Sequence, residues 1–218
     1  MELYIVRHGE TLWNKEKRCQ GTIDISLNEN GRELARITGE ALKDVHFDKI
    51  YSSPLSRAYE TACLIKGDRD IPVIKDDRLK EVCFGNMEGM CMDDMLKDPD
   101  SHFQHFFDAP HLYVPDEKGE SLEALCERTK GFLVNELMPE ADSLERVMIV
   151  GHGAMNKSIM CYIKDHGIDK FWSGGLQKNC NVIIVSYENG KFTVVDEEKI
   201  FYYFLYNLYN SFVCIVTM

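Results

Sequence analysis

Leu3-Tyr4-Ile5-Val6 opens the chain as an unbroken apolar run, the pattern of a strand buried on both faces. Lys49-Ile50-Tyr51-Ser52-Ser53 and Val147-Met148-Ile149-Val150 repeat it. Between such runs the period lengthens. Asn28, then Gly31, Leu34, Ile37, Ala41 and Leu42 predict a capped amphipathic helix. Pro54 suits a first helical position with Ser53 as the cap, so the next helix should carry Arg57 in its first turn. Ile71-Pro72-Val73-Ile74 reads as a short edge strand, because proline cannot donate to a central ladder. Apolar spacing predicts further helices from Ser121 to Leu137 and from Ala154 to about Lys164. Asn181–Tyr187 and Phe192–Val195, joined through Asn189-Gly190, predict a hairpin. Strands alternating with helices specify a three-layer α/β/α sandwich around a mostly parallel sheet.

From Phe84 to about Pro115 the periodicity weakens, and His102, Phe103, His105, Phe106, Phe107 and His111 crowd together. This stretch reads as a small, mostly helical cap inserted at about 84–115. No linker or internal repeat divides the chain, so a single domain is expected over 1–203, with 204–218 as an uncharged C-terminal extension. That extension contains Asn207, Asn210 and Ser211 and falls short of the about 20 predominantly apolar residues of a spanning helix. It reads as a segment that packs on the body, pairs with a partner or hangs loose; no membrane association is expected, and a homodimer surface is one candidate use.

The 218-residue chain is 44% apolar and 28% charged, ordinary for a globular protein. Its net charge of −11 argues against nucleic acid, which demands a basic footprint. An anionic substrate would therefore need locally gathered cations, and Arg7, Lys15, Lys17, Arg18 and Arg57 are the candidates. Eight cysteines without a Cys-x-x-Cys pair, and no signal peptide, point to free thiols in a reducing cytoplasm.

The strand ends carry the chemistry. Arg7-His8-Gly9, Arg57 and Gly151-His152-Gly153 each follow an apolar strand at its carboxyl end, where open α/β sheets place ligands. His8 is the candidate nucleophile, since a neutral imidazole can attack phosphorus and carry a phosphoryl group. Arg7 and Arg57 would clamp the phosphoryl oxygens with guanidinium forks. His152 could donate a hydrogen bond to the transferring group. Glu81 is the carboxyl chosen as general acid. Helix N-termini after Ser53 and Gly153 would add positive dipole ends to the same pocket. His102, His105 and His111, with Asp98, Asp100 and Asp108 nearby, match no zinc spacing.

Arg7-His8-Gly9-Glu10-Thr11-x-Trp13-Asn14, Gln20-Gly21, Ser52-Ser53-Pro54-Leu55-x-Arg57-Ala58-x-x-Thr61-Ala62, Leu79-x-Glu81-x-x-Phe84-Gly85-x-x-Glu88-Gly89 and Val150-Gly151-His152-Gly153 run in this order over nearly the whole chain. Together they resemble the histidine phosphatase superfamily, also called phosphoglycerate mutase-like. The resemblance implies that His8 becomes phosphorylated and that Arg7, Arg57 and His152 complete the phosphate pocket. It also implies Asn14 on the phosphate, Gln20, Gly21, Thr22 and Gly153 near the substrate, Glu81 as proton donor, and no metal or cofactor. Met87 departs from the tryptophan of many relatives, which should alter packing more than chemistry.

Within the family a mutase must hold a second phosphate, which mutase relatives do with paired arginines after the segment matching Glu81. Here no arginine occurs between Arg78 and Arg128, and Asp93, Asp94, Asp98 and Asp100 are acidic. The expectation is therefore a metal-independent phosphomonoester phosphatase acting on a small phosphorylated metabolite. A cofactor-dependent phosphoglycerate mutase and a non-catalytic phospholigand-binding module are the alternatives. Activity should peak on the acid side of neutrality, where Glu81 starts protonated and His8 neutral.

Overall fold

The computed structural model describes residues 1–98 and 101–202. Strands β1 (Glu2–Arg7), β2 (Lys49–Ser52), β3 (Val73–Lys75), β4 (Arg146–Gly151), β5 (Val182–Glu188) and β6 (Lys191–Lys199) form one sheet in the order β3-β2-β4-β1-β5-β6. The first four are mutually parallel. The other edge is antiparallel: β5 runs against β1, and β6 returns against β5 through Asn189 and Gly190, both at positive φ. That turn needs left-handed backbone twice, which Asn-Gly supplies. β3 lies at the sheet edge, and Pro72 just before it contributes only its carbonyl, which accepts from Ile50 N–H at 3.1 Å.

Alternation along β1 divides the core. Leu3 and Ile5 face one apolar cluster, with Leu125 and Phe132 of α6 (Leu122–Phe132) and Ile159 of α7 (Gly153–Ile163). Tyr4 and Val6 face another, with Ala35 of α2 (Glu29–Ala41) and Ala58, Ala62 and Ile65 of α3 (Ser56–Lys66). Helices thus cover both faces, which makes the molecule an α/β/α sandwich. The short helices α1 (Leu12–Lys15), α4 (Met92–Met95) and α5 (Gln104–Asp108) lie in the connections.

Three boundaries differ from expectation. α3 begins at Ser56 rather than Pro54, with Leu55 at the cap position. The free N–H of Ser56 is taken by the Asp24 carboxylate at 2.7 Å, a cap brought in from another loop that local sequence cannot reveal. α6 ends at Phe132, and Leu133–Leu137 continues it as a wider π-type turn. The edge strand sits slightly later than expected, because Ile71-Pro72 is spent on approach. Among the described residues no helix is long and apolar enough to cross a membrane. The expected extension 204–218, its candidate role as a dimer surface, and Asp100 lie outside the described residues.

Candidate active site

Because β1 lies between parallel β4 and antiparallel β5, its carboxyl end opens where the sheet changes direction. His8 N–H donates to the Gly151 carbonyl at 2.9 Å, and Ser53 N–H donates to Val150 at 3.0 Å, so β1, β2 and β4 end level. Arg7, His8, Arg57 and Glu81 then line one cavity of about 80 Å³, with Asn14, Gln20, Gly21 and Gly153. The His152 ring stands beside it, its centroid 5.2 Å from that of His8.

His8 is held in one tautomer. Its Nδ1 meets the Gly9 carbonyl at 2.7 Å; a carbonyl only accepts, so Nδ1 carries the proton and Nε2 keeps the lone pair. The turn that sets this geometry is itself pinned. Gly9 N–H donates to the Thr61 hydroxyl at 2.9 Å, and the Thr61 hydroxyl donates to the Arg57 carbonyl at 2.6 Å. A Cβ on Gly9 would sit 2.5 Å from the Gly31 carbonyl oxygen, so glycine lets the start of α2 press against the turn. Asn179 adds a donor to the His8 carbonyl at 2.8 Å.

The two arginines are buried and only partly satisfied. Arg57 donates through Nη2 to Gly21 at 2.7 Å and through Nη1 to Ile23 at 2.8 Å, and its Nε has no protein partner. Arg7 donates through Nη1 to the Gln177 carbonyl at 2.5 Å and leaves its own Nε unpaired. Burial, opposed by Glu81, pushes Arg57 down to about 10, still charged at neutral pH. Both ring nitrogens of His152 are buried and lack partners as well. Unpaired buried donors around one small cavity leave hydrogen-bonding capacity for an anion with several oxygens.

Glu81 reaches the same cavity by an unexpected route. Its Oε1 accepts from Met155 N–H at 2.9 Å and Val82 N–H at 3.0 Å, and its Oε2 from Ala154 N–H at 3.1 Å. The first turn of α7 therefore addresses Glu81 instead of serving as a free anion end, as expected from sequence. Asn14 caps α1 reciprocally: Oδ1 accepts from Thr11 N–H at 3.0 Å, which leaves its amide N–H groups available. Gln20 Oε1 takes the Thr11 hydroxyl at 3.0 Å.

Thr22 is not brought in with its neighbours. It does not line the cavity, and its N–H and hydroxyl both donate to Glu88 Oε1, at 2.8 and 3.1 Å. Gly21 is the reason: at φ +52° it turns its carbonyl to Arg57, and a Cβ there would lie 2.0 Å from Glu88. Sequence reasoning also passed over Gln177, which orients Arg7 from an irregular loop whose only advance signal is the Gly174-Gly175 pair. Of the cap histidines, His105 Nδ1 lies 3.5 Å from the Asp108 carboxylate without a hydrogen bond to it.

Burial first, then Arg57 and Arg7, hold the His8 imidazole well below its ordinary titration range; burial and Arg57 do the same to His152. Both are neutral at pH 7. As pH falls below about 6.5 the unfolded chain binds protons that the folded chain refuses, so stability drops on acidification, by up to about 1.4 kcal/mol per pH unit for each histidine. Urea midpoints at pH 7.5 and 5.5 should show this loss, and a His8→Asn/His152→Asn double variant should show a shallower one. Equal slopes would refute the assignment.

Residues 3–199 match the model of the histidine phosphatase superfamily, branch 1. The chain is 35% identical over 175 residues to phosphoserine phosphatase 1 of Hydrogenobacter thermophilus, covering 80% of this chain and 82% of that one. It is 34% identical over 163 residues to a 2,3-bisphosphoglycerate-dependent phosphoglycerate mutase of Parvibaculum lavamentivorans, covering 72% and 77%. Among solved structures, YhfR of Bacillus stearothermophilus superposes with a TM-score of 0.81 at 36% identity, covering 92% of this chain and 98% of that one.

Proposed function

The chain belongs to the histidine phosphatase superfamily, branch 1, and within it we propose a phosphomonoester phosphatase that works through a phosphohistidine on His8. One observation carries the reading: a neutral imidazole, its Nε2 lone pair free, stands in a cavity with two buried guanidiniums. Nε2 attacks phosphorus in line, the N–P bond forms and the ester P–O bond breaks. Arg7, Arg57, Asn14 and His152 hold the phosphoryl oxygens, where charge spreads in the transition state. Glu81 Oε2, which accepts only one N–H, has room for the proton that goes to the leaving alkoxide. Water then attacks phosphorus, Glu81 takes its proton, and the N–P bond breaks to restore His8. Gln20, Gly21 and Gly153 shape the rim. Thr22 acts from behind, by tying Glu88 to the Gly21 turn.

The hydrolase is favoured over the mutase by what the cavity offers a second phosphate. Arg18 is the one cation among its lining residues besides Arg7 and Arg57, and Arg18 is paired with Glu16 at 2.7 Å. The substrate is a small phosphorylated metabolite, the class to which phosphoserine, named for the Hydrogenobacter relative, belongs. Seven free thiols among the described residues suit a reducing cytoplasm.

Glu81→Gln tests the two-step scheme. p-Nitrophenolate leaves without a proton, so the variant should release a burst equal to the enzyme present and then turn over about a hundredfold more slowly than wild type. Acid-labile phosphate should accumulate on His8 during the slow phase. A steady rate without a burst and without phosphate on His8 would sink the scheme.

A further inference from the structure

Above the phosphoryl floor the cavity changes character. Its upper wall consists of Phe84, Met92, Phe107, Trp172 and Leu176. Phe106, which lines the cavity too, ties that wall together: its ring lies 5.0 Å from both Phe84 and Phe107 and 5.3 Å from Trp172. Trp172 donates its indole N–H to the Phe106 carbonyl, so the polar atom of these rings is spent within the wall. Phe107 and Trp172 are only half-buried, and Leu176 is 48% exposed, which places them at the mouth. The cavity opens to solvent on this side, so the body of an ester whose phosphoryl group sits between Arg7 and Arg57 extends along these residues.

A leaving group that bears a carboxylate would be poorly received there. Its desolvation requires cations or several donors. Beyond the phosphoryl-binding groups, Arg18 is the one fixed cation among the lining residues, and its guanidinium already donates to Glu16 and, at 2.9 Å, to the Gly89 carbonyl. An apolar ring, by contrast, would meet aromatic edges and faces and remove exposed hydrocarbon from water. We infer that the enzyme takes phosphomonoesters whose alcohol carries an apolar, ring-bearing body, and that Phe107 and Trp172 select it. The inference rests on the phosphatase reading above. It departs from the substrate named for the Hydrogenobacter relative.

The test compares kcat/KM for 2-phenylethyl phosphate, ethyl phosphate and O-phosphoserine. The first two alkoxides are nearly matched in basicity, so their ratio reads binding of the ring and not leaving-group chemistry. 2-Phenylethyl phosphate should lead both others by about tenfold or more. Its lead over ethyl phosphate should shrink several-fold in Phe107→Ala and Trp172→Ala and persist in Trp172→Phe. Should either alanine variant fail to fold, the wild-type ratio still decides. O-phosphoserine or ethyl phosphate matching the aryl-bearing ester would overturn the inference while leaving the phosphatase intact. If no ester is cleaved and His8 takes up no phosphate, the phosphatase reading falls and this one with it.

Discussion

His8→Ala should abolish hydrolysis of p-nitrophenyl phosphate, a fall of about 10⁴-fold or more, because the covalent route disappears with the nucleophile. The loss is a loss of chemistry more than of structure. What pins the turn around His8 is backbone: Gly9 N–H on Thr61, the His8 N–H on Gly151, and the His8 carbonyl on Asn179. None of these involves the imidazole, so the variant should fold and still bind inorganic phosphate between Arg7 and Arg57. Wild-type turnover should be unchanged by EDTA, since no step of the scheme calls on a metal ion. Retention of more than about a tenth of the wild-type rate would move the nucleophile elsewhere, in conflict with the role of a covalent group.

Arg57→Ala should lower kcat/KM by about 10³-fold, and Arg57→Lys should recover little of it. Arg57 does two jobs at once. Its Nη atoms hold the Gly21 and Ile23 carbonyls, and the guanidinium lines the cavity with its Nε unpaired. An ammonium group is a single point of charge and cannot serve both carbonyls and a phosphoryl oxygen. Leaving the two carbonyls unsatisfied should cost about 1–3 kcal/mol each in stability if water does not reach them. A separate readout distinguishes the electrostatic role from folding. Arg57 is the largest charge contribution holding His8 down, so its loss raises the His8 titration toward the ordinary imidazole range. The acid limb of the rate profile should then move to higher pH. A variant with a slower rate but an unmoved limb would restrict Arg57 to positioning the Gly21 turn.

What could be read in advance depended on how local the determinant is. β1, β2 and β4 were legible because a strand buried on both faces must be apolar throughout, and the residues after it must sit at its end. That adjacency is why Arg7, His8 and His152 could be placed together from sequence, and why Arg57, the second residue of α3, went with them. Contacts made across long stretches of chain were not legible. Glu81 is held by the N–H groups of Ala154 and Met155, and Arg7 by the carbonyl of Gln177, without any periodicity to announce it. Thr22 shows the opposite failure: adjacency to Gln20 and Gly21 suggested the site, but a positive φ at Gly21 turned the chain and sent its hydroxyl to Glu88. The cap aromatics divide in a way that composition could not foresee: Phe103, Phe106 and Phe107 all line the cavity, but Phe103 and Phe106 are core, at 1% and 2% exposed, whereas Phe107 is only half-buried.

β1 is the first strand in the chain, yet its hydrogen-bonding neighbours are the fourth and fifth, with register partners Arg146–Gly151 and Val182–Ser186. During synthesis the segment that bears the nucleophile therefore waits, unpaired and apolar, until nearly the whole polypeptide has left the ribosome. Long-range pairing of this kind folds slowly and exposes its strands meanwhile. It also means that a fragment released before β4 has Arg7 and His8 but no ladder to fix them, no His152, and no first turn of α7 to hold Glu81. The order of strands makes phosphate chemistry a property of the finished chain alone, so abortive translation products should be burdens on the chaperones but never stray phosphatases.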